Sequence, residues 1–179
     1  ANNRETPDKA NSPSAENQPA YRQYQLDHNT ANPELAQALA AIKDHKFAKA
    51  ISLLQQSGET NADPIAQFYL ALAQFRLDDL KAANNTLDHL LPEHPGFDDA
   101  LYLKGLVDLS LISEVSIFKK ISTAKSALDS WQRAVGANPK NLDAHYALFA
   151  FYANAPRIAG GDLKEAAILQ ARLADMDEG

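Results

Sequence analysis

The side chains of this chain that could do acid–base or metal chemistry are five histidines and a few adjacent carboxylates. The histidines are scattered, at His28, His45, His89, His94 and His145. The closest two, His89 and His94, are five residues apart at the end of a predicted helix, a poor spacing for two ligands of one metal ion. We therefore expect exposed or helix-capping histidines and no metal site.

Two pairs of adjacent carboxylates stand where helices are predicted to begin. They are Asp78-Asp79 and Asp98-Asp99, and acidic side chains at a helix start cap free N–H groups and complement the helix dipole. The H-E-x-x-H, G-x-S-x-G, P-loop and G-x-G-x-x-G motifs are all absent from the sequence. The sequence thus predicts no catalytic residues, no cofactor and no enzymatic activity.

A glycine-rich stretch, Gly160-Gly161-Asp162, invites comparison with a phosphate-binding loop. It lacks the Lys-Ser/Thr that would follow in such a loop, so we interpret it as a turn between two helices. The residues before it, Pro156-Arg157-Ile158, make the connection longer than a minimal turn. A ligand contact in this insertion therefore stays open.

The composition favours a single all-helical domain without a nucleic-acid surface. The chain has 179 residues, 45% of them hydrophobic, and only 7 glycines. Its net charge is −6 and no basic stripe is visible, which argues against a nucleic-acid binder because such proteins displace counterions with clustered cations. Cysteine is absent, and no apolar run approaches the ~18–20 residues that a transmembrane helix needs.

Residues 1–20 differ from the rest of the chain. They contain three prolines and four asparagines and almost no apolar side chain, so they cannot bury enough surface to offset ordering entropy. We expect a disordered or extended leader at 1–20 and a folded domain at 21–179. The first residue is Ala1, which a removed signal peptide would explain and so would a recombinant start. We expect export to the periplasm or envelope.

From residue 33 onward apolar residues recur at spacings of three and four, with breaks every 12–15 residues. The breaks carry cap and turn residues such as Asp78-Asp79 and Asn138-Pro139. The pattern predicts four antiparallel helix pairs. Their helices are expected at 33–43, 47–57, 64–77, 80–91, 98–112, 122–137, 141–154 and 163–175.

The pairs repeat a pattern of small and large residues. It is complete in Ala127-x3-Trp131-x2-Ala134-x4-Pro139, and counting back from Pro95 places Gly105 at the matching position of a first helix. This pattern resembles the tetratricopeptide repeat, a 34-residue helix pair with W-x2-L-G-x2-Y, A-x3-F and P signatures. The resemblance covers about residues 31–178. It implies an all-α, right-handed helical-repeat solenoid of about four pairs, with Trp131 in the core.

The chain departs from the family pattern at several places. Asp108 stands at the tyrosine position of the third repeat, and extra residues occur near 113–122 and in 153–161. The first insertion holds Val115-Ser116-Ile117-Phe118-Lys119-Lys120-Ile121. We expect its apolar side to pack on the solenoid and its lysines to be solvated. A membrane surface or an acidic partner is the alternative contact.

The resemblance also implies where a partner would bind. In this family the first helix of each pair lines a concave groove, and aromatic and Arg residues are common anchors of interfaces. The residues carried over to the groove are Phe68, Leu72, Phe75, Arg76, Tyr102, Leu106, Leu109 and Tyr146. Leu39, Leu72 and Leu106 occupy the positions where carboxylate-clamp repeats carry Asn, so a clamp for C-terminal tails is not expected.

We therefore expect a protein-binding scaffold of a bacterial envelope complex that docks a peptide or partner segment in its groove. The alternative is a transport-associated protein that binds a small apolar ligand in a closed cavity. The last helix has no polar capping helix after it, so either the natural chain continues or that end meets a partner, such as a second copy of the chain. The leader, through Tyr21, Tyr24 and Leu26, could also fold back into the groove.

Overall fold

The computed structural model describes residues 33–57 and 63–177. These residues form eight α-helices and one short 3-10 turn at Arg157–Ala159, and they contain no strand. The leader at 1–20, Tyr21, Tyr24, Leu26 and His28 lie outside the described residues. The helices are α1 Pro33–Lys43, α2 Phe47–Gln56, α3 Pro64–Arg76, α4 Leu80–Glu93, α5 Asp98–Leu111, α6 Ile117–Ala137, α7 Leu142–Asn154 and α8 Leu163–Asp177.

The helices pack as four consecutive pairs, α1/α2, α3/α4, α5/α6 and α7/α8, and each pair packs on the next. The first helices of successive pairs also contact one another, α1 with α3 and α3 with α5. They therefore form an inner layer, and the second helices form an outer layer. The predicted all-α helical repeat of four pairs is confirmed.

Local sequence signals explain where the helices begin. Asp63 accepts hydrogen bonds from the N–H groups of Ile65 and Ala66 at 2.8 and 3.4 Å, with proline as the first residue of α3. Asp79 caps α4 in the same way. His45 and Asp78, in the turns within the first two pairs, adopt left-handed φ angles of 58° and 62°.

The core is built from alanines where helices approach closely and from larger side chains between them. Ala83, Ala127 and Ala134 are fully buried, and Trp131 is 1% exposed. The small–large–small spacing read from the sequence thus marks the buried face of α6, because residues three and four apart share one side of a helix. The predicted core position of Trp131 is confirmed.

Three expectations about local structure are wrong. Helix α6 begins at Ile117 rather than at 122, so most of the first insertion is helical. Its apolar side chains do not pack on the solenoid, since Ile117 is 74% and Phe118 91% exposed. Helix α4 continues through Pro92 to Glu93 rather than ending at 91, because proline in the last turn can keep a helical φ.

His145 also differs from the expectation of an exposed or capping histidine. It is 1% exposed, because α7 turns this side of the helix onto the preceding connection. Its Nε2 atom lies 3.0 Å from the carbonyl oxygen of Pro139. His145 is therefore a structural residue that holds the turn before α7. Of the other described histidines, His45, His89 and His94 are exposed as expected.

Candidate functional site

The inner layer of first helices carries the eight residues predicted to line a groove. Leu72 and Phe75 on α3, and Tyr102 and Leu106 on α5, are partly buried against the core. Leu109 on α5 and Tyr146 on α7 are 43% and 46% exposed, and Arg76 is exposed at the end of α3. The exposed apolar and aromatic residues of the predicted groove therefore lie on the third and fourth repeats.

Two predicted groove residues of α3 point elsewhere. Phe68 is only 5% exposed and packs on Phe97, with ring centroids 5.3 Å apart. Phe68 is therefore a core residue beneath the inner layer, and its side chain is not accessible to a partner. The guanidinium of Arg76 lies over the ring of Phe47 at 5.8 Å, so Arg76 contacts the second helix of the first repeat.

Tyr102 is half-buried at the boundary between the two main parts of the core. Burial raises the pKa of its phenol, and the negative charge of Asp143 raises it further. Its backbone carbonyl accepts a hydrogen bond from Trp131 Nε1 at 3.1 Å. Tyr102 thus connects the inner surface to the largest buried side chain of α6.

An apolar cavity opens on the inner layer between α5 and α7, which we call the α5/α7 cavity. Its volume is about 470 Å3, within the usual range of sites that hold a small ligand or a large side chain. Leu106 and Leu109 contribute from α5, and Ala147 and Ala150 contribute from α7. Trp131 and Phe151 also line it, with the connection that follows α7 at its side.

The few polar groups around the α5/α7 cavity are engaged within the protein. Trp131 Nε1 donates to Tyr102, and Asn154 Nδ2 donates to the carbonyl oxygen of Ala150 at 2.8 Å. The exposed lining is almost wholly carbon. Such a cavity can bind an apolar group through the hydrophobic effect and close packing. It suits a group without hydrogen-bond donors or acceptors, because a buried polar group would be left unpaired there.

A second cavity, of about 490 Å3, lies on the other side of the connection between α7 and α8. Its lining includes Arg157, Asp162 and Lys164, so it is the more polar of the two. Gly160 here has a φ of 110°, and a Cβ at Gly161 would overlap the carbonyl oxygen of Ala155. Asp162 accepts a hydrogen bond from Lys164 N–H at 2.9 Å. The glycines therefore form an inter-helix turn, as predicted.

Asp108, at the family's tyrosine position, is the centre of a buried polar cluster. Its carboxylate accepts hydrogen bonds at 2.6 Å from both Lys104 Nζ and Ser126 Oγ, and it is 4% exposed. Lys104 also donates to Asn84 at 2.8 Å and lies 3.5 Å from Asp88. The cluster joins α4, α5 and α6, so its role is to hold the second repeat on the third. Within the described residues no group of side chains could hold a metal ion.

The sequence predicted only some of the residues that line the α5/α7 cavity. Leu106 and Leu109 were predicted groove residues, whereas Ile112, Phe151 and Ala159 were not expected to share a site with them. The available signal was the insertion after α7, because Ala155, Pro156 and Ala159 of this connection line the cavity.

The fold defines a class, the α-helical repeat proteins in which successive helix pairs form an inner and an outer layer. Within that class the chain has the tetratricopeptide fold, which confirms the resemblance. Residues 66–115 match the model of the Fis1 C-terminal tetratricopeptide repeat. None of the helices in the described ranges is both long and apolar enough to cross a bilayer.

Solved structures give the same result over most of the chain. TTC0263, a thermophilic TPR protein of Thermus thermophilus, superposes with a TM-score of 0.68 at 17% identity, over 82% of this chain and 74% of that one. A crystal structure of MamA superposes with a TM-score of 0.64 at 19% identity, over 89% and 85%. At these identities the likeness concerns the fold. No curated protein matches the chain.

Proposed function

We propose that this protein is a non-enzymatic scaffold that docks an apolar segment of a protein partner on its inner surface. The observation that carries the proposal is the α5/α7 cavity, which the exposed side chain of Leu109 helps to line. Tyr146 is also exposed and lies one helical turn before Ala150, another residue of the cavity lining. An apolar side chain of a bound peptide would enter the cavity, and its neighbours would cover Leu109 and Tyr146. This matches helix-in-groove recognition, in which a few apolar anchors carry the binding.

The test is capture of partners from a native extract by the wild-type protein and by a Leu109→Asp, Tyr146→Asp variant. Both residues are exposed, so the variant should fold, which circular dichroism checks. The matched control is Leu77→Asp, which places an aspartate on a residue that is 48% exposed at the end of α3. A protein retained by the wild type and the control but lost by the double variant, and rebound in purified form, supports the proposal. Equal retention by all three contradicts it.

A small apolar ligand is the second candidate occupant of the α5/α7 cavity. Its volume of about 470 Å3 and its carbon lining favour a lipid-like molecule as much as a side chain. Trp131 lines the cavity and is the single tryptophan of the chain, so its fluorescence should respond to a fatty acid that binds there. An Ala150→Phe substitution, which fills the cavity mouth, should abolish that response. An unchanged response would rule out the cavity as the site.

We also propose that the protein acts in the bacterial envelope. The polar composition of residues 1–20 supports this location, and fractionation of cells tests it.

We further propose that the protein self-associates through its last repeat. Leu163 and Ile168 on α8 are 73% and 53% exposed, which supports such a contact. Light scattering of the wild type and of a Leu163→Asp, Ile168→Asp variant tests self-association, and a monomeric wild type would contradict it.

A further inference from the structure

The first two turns of α6 project from the solenoid. Every residue from Ser116 to Ser122 is exposed, and we call this segment the α6 tip. Three of its side chains are large and apolar: Ile117 is 74%, Phe118 91% and Ile121 38% exposed. Exposed apolar side chains grouped in this way mark interaction sites more often than do single ones.

These three side chains form one face that is rotated away from the buried face of α6. At about 100° per residue, Ile117, Phe118 and Ile121 fall within about 100° of one another around the helix. The direction midway between Ala127 and Trp131, which are both buried, lies about 110° from the centre of that face by the same geometry. The apolar face of the tip is therefore turned off the core and is not covered by it.

The α6 tip is also the basic part of an acidic protein. Residues 115–128 contain Lys119, Lys120 and Lys125 and no Asp or Glu, in a chain whose net charge is −6. All three lysines are exposed, and within residues 33–57 and 63–177 none of them forms an ion pair. At about 100° per residue, Lys125 lies about 30° and Lys120 about 110° from the centre of the apolar face, whereas Lys119 lies about 150° from it, on the opposite side of the helix. Lys120 and Lys125 therefore place cationic groups beside the apolar face.

We propose that the α6 tip inserts Ile117, Phe118 and Ile121 into the interface of a bilayer that contains acidic lipids. The lysines would contact the headgroups, which attract basic residues next to an inserted apolar face. The tip is convex, so a protein partner would need a matching pocket, whereas a bilayer deforms around a projecting group. The same combination of apolar and cationic side chains favours an acidic surface over a neutral one.

Attachment through the α6 tip is peripheral and reversible, because only three apolar side chains enter the interface. The α5/α7 cavity is lined by none of the tip residues. A scaffold held by the tip would therefore keep its inner surface free for a partner. This inference does not depend on what occupies the inner surface.

Vesicle flotation tests the proposal with the full chain. Wild-type protein should float with vesicles of phosphatidylcholine mixed with phosphatidylglycerol, bind phosphatidylcholine vesicles much more weakly, and release at high salt. A Phe118→Ser, Ile121→Ser variant should lose at least about tenfold in partitioning, since each large apolar side chain contributes about that much. A Lys120→Gln, Lys125→Gln variant should lose the preference for acidic vesicles. The control, Leu77→Ser, removes an apolar side chain that is 48% exposed at the end of α3 and should bind as the wild type does.

A second measurement locates the contact. The chain has no cysteine, so an environment-sensitive dye can be placed at Ser122→Cys in the tip or at Ser52→Cys on α2, both exposed. Acidic vesicles should brighten the tip label and leave the α2 label unchanged. Failure of the wild type to bind acidic vesicles, or undiminished binding by the Phe118→Ser, Ile121→Ser variant, would overturn the proposal and leave the tip to a protein partner. If a Leu109→Asp, Tyr146→Asp variant still floats with acidic vesicles, membrane binding does not depend on the inner surface.

Discussion

Gly105 lies directly beneath the indole of Trp131, so closely that no other residue fits at this position of α5. A Cβ built on Gly105 would overlap Trp131 Nε1 and lie 2.5 Å from Cε2 and 2.7 Å from Cδ1. The indole is fixed there by its hydrogen bond to the carbonyl oxygen of Tyr102 at 3.1 Å. Gly105, on a first helix, and Trp131, on a second helix, are therefore in direct contact. This contact sets the distance between α5 and α6.

The Gly105→Ala substitution should destabilise the protein by roughly 1–3 kcal/mol, because the added methyl group overpacks a rigid site. This loss should appear although alanine favours helices more than glycine does. Thermal and urea unfolding measure it. Gly136→Ala is the matched control, since nothing lies within 4 Å of a Cβ there, and it should stabilise by about 0.5–1 kcal/mol. Equal shifts for the two variants would contradict the contact.

Trp131→Ala tests the same contact from the other side. Trp131 is 1% exposed and packs edge-on against Phe151, with ring centroids 5.8 Å apart. Its removal should cost roughly 3–5 kcal/mol, measured by urea unfolding. In the Trp131→Ala background Gly105→Ala should no longer be harmful, because the atoms that it would overlap are gone. If the two losses add, the overpacking explanation is wrong.

Much of the fold could be predicted because its signals are local. The caps Asp63, Asp79 and Asn141 and the periodic apolar residues each act within one helix, so six of the eight helices begin at the predicted residue and α7 begins one residue later. The start of α6 could not be predicted in this way. Its first two turns lack core contacts, so no buried periodicity marks them.

The candidate site was harder to predict because exposure depends on how each helix is rotated against its neighbours. Phe68 and Tyr146 occupy comparable inner-helix positions, yet Phe68 is 5% and Tyr146 46% exposed. Phe68 is covered by Phe97, from the connection before the next pair. The cavity next to Leu109 is also lined by Ala155, Pro156 and Ala159 from the connection after α7, which is distant from α5 in sequence. Neither relation is visible in any single repeat.

The cluster around Asp108 gives a prediction about the contact between the second and third repeats. Lys104→Met should destabilise the protein by roughly 1–3 kcal/mol, because the buried carboxylate of Asp108 keeps only Ser126 among its side-chain partners. Chemical unfolding measures the change. Lys46→Met removes an ion pair with Asp44 whose side chains are 61% and 59% exposed, and it should change stability by less than about 0.5 kcal/mol. A comparable loss in both variants would mean that Asp108 is not dependent on Lys104.

The raised pKa of Tyr102 makes a prediction about alkaline stability. Because burial and Asp143 raise this pKa in the folded state above the ordinary value of 10.0, the folded protein binds the phenolic proton more tightly than the unfolded chain does. The resulting stability is complete below pH 10 and is lost as the pH rises from there through the folded-state pKa. The free energy of unfolding should therefore fall more steeply above pH 10 in the wild type than in Tyr102→Phe, which keeps the ring and cannot ionise.

Absorbance and unfolding together distinguish the two causes of that pKa shift. Asp143→Asn removes the smaller cause, so the phenol of Tyr102 should ionise at a lower pH than in the wild type but still above a free tyrosine, because burial remains. The difference in phenolate absorbance between each protein and its Tyr102→Phe partner isolates this one residue from the other five tyrosines. If the titration is the same with and without Asp143, its charge does not act on Tyr102 and burial alone sets the shift. If Tyr102 ionises like a free tyrosine in both the wild type and Asp143→Asn, its ring is more exposed to water than this structure shows. The accessible part of the inner surface then extends further toward the first turn of α5.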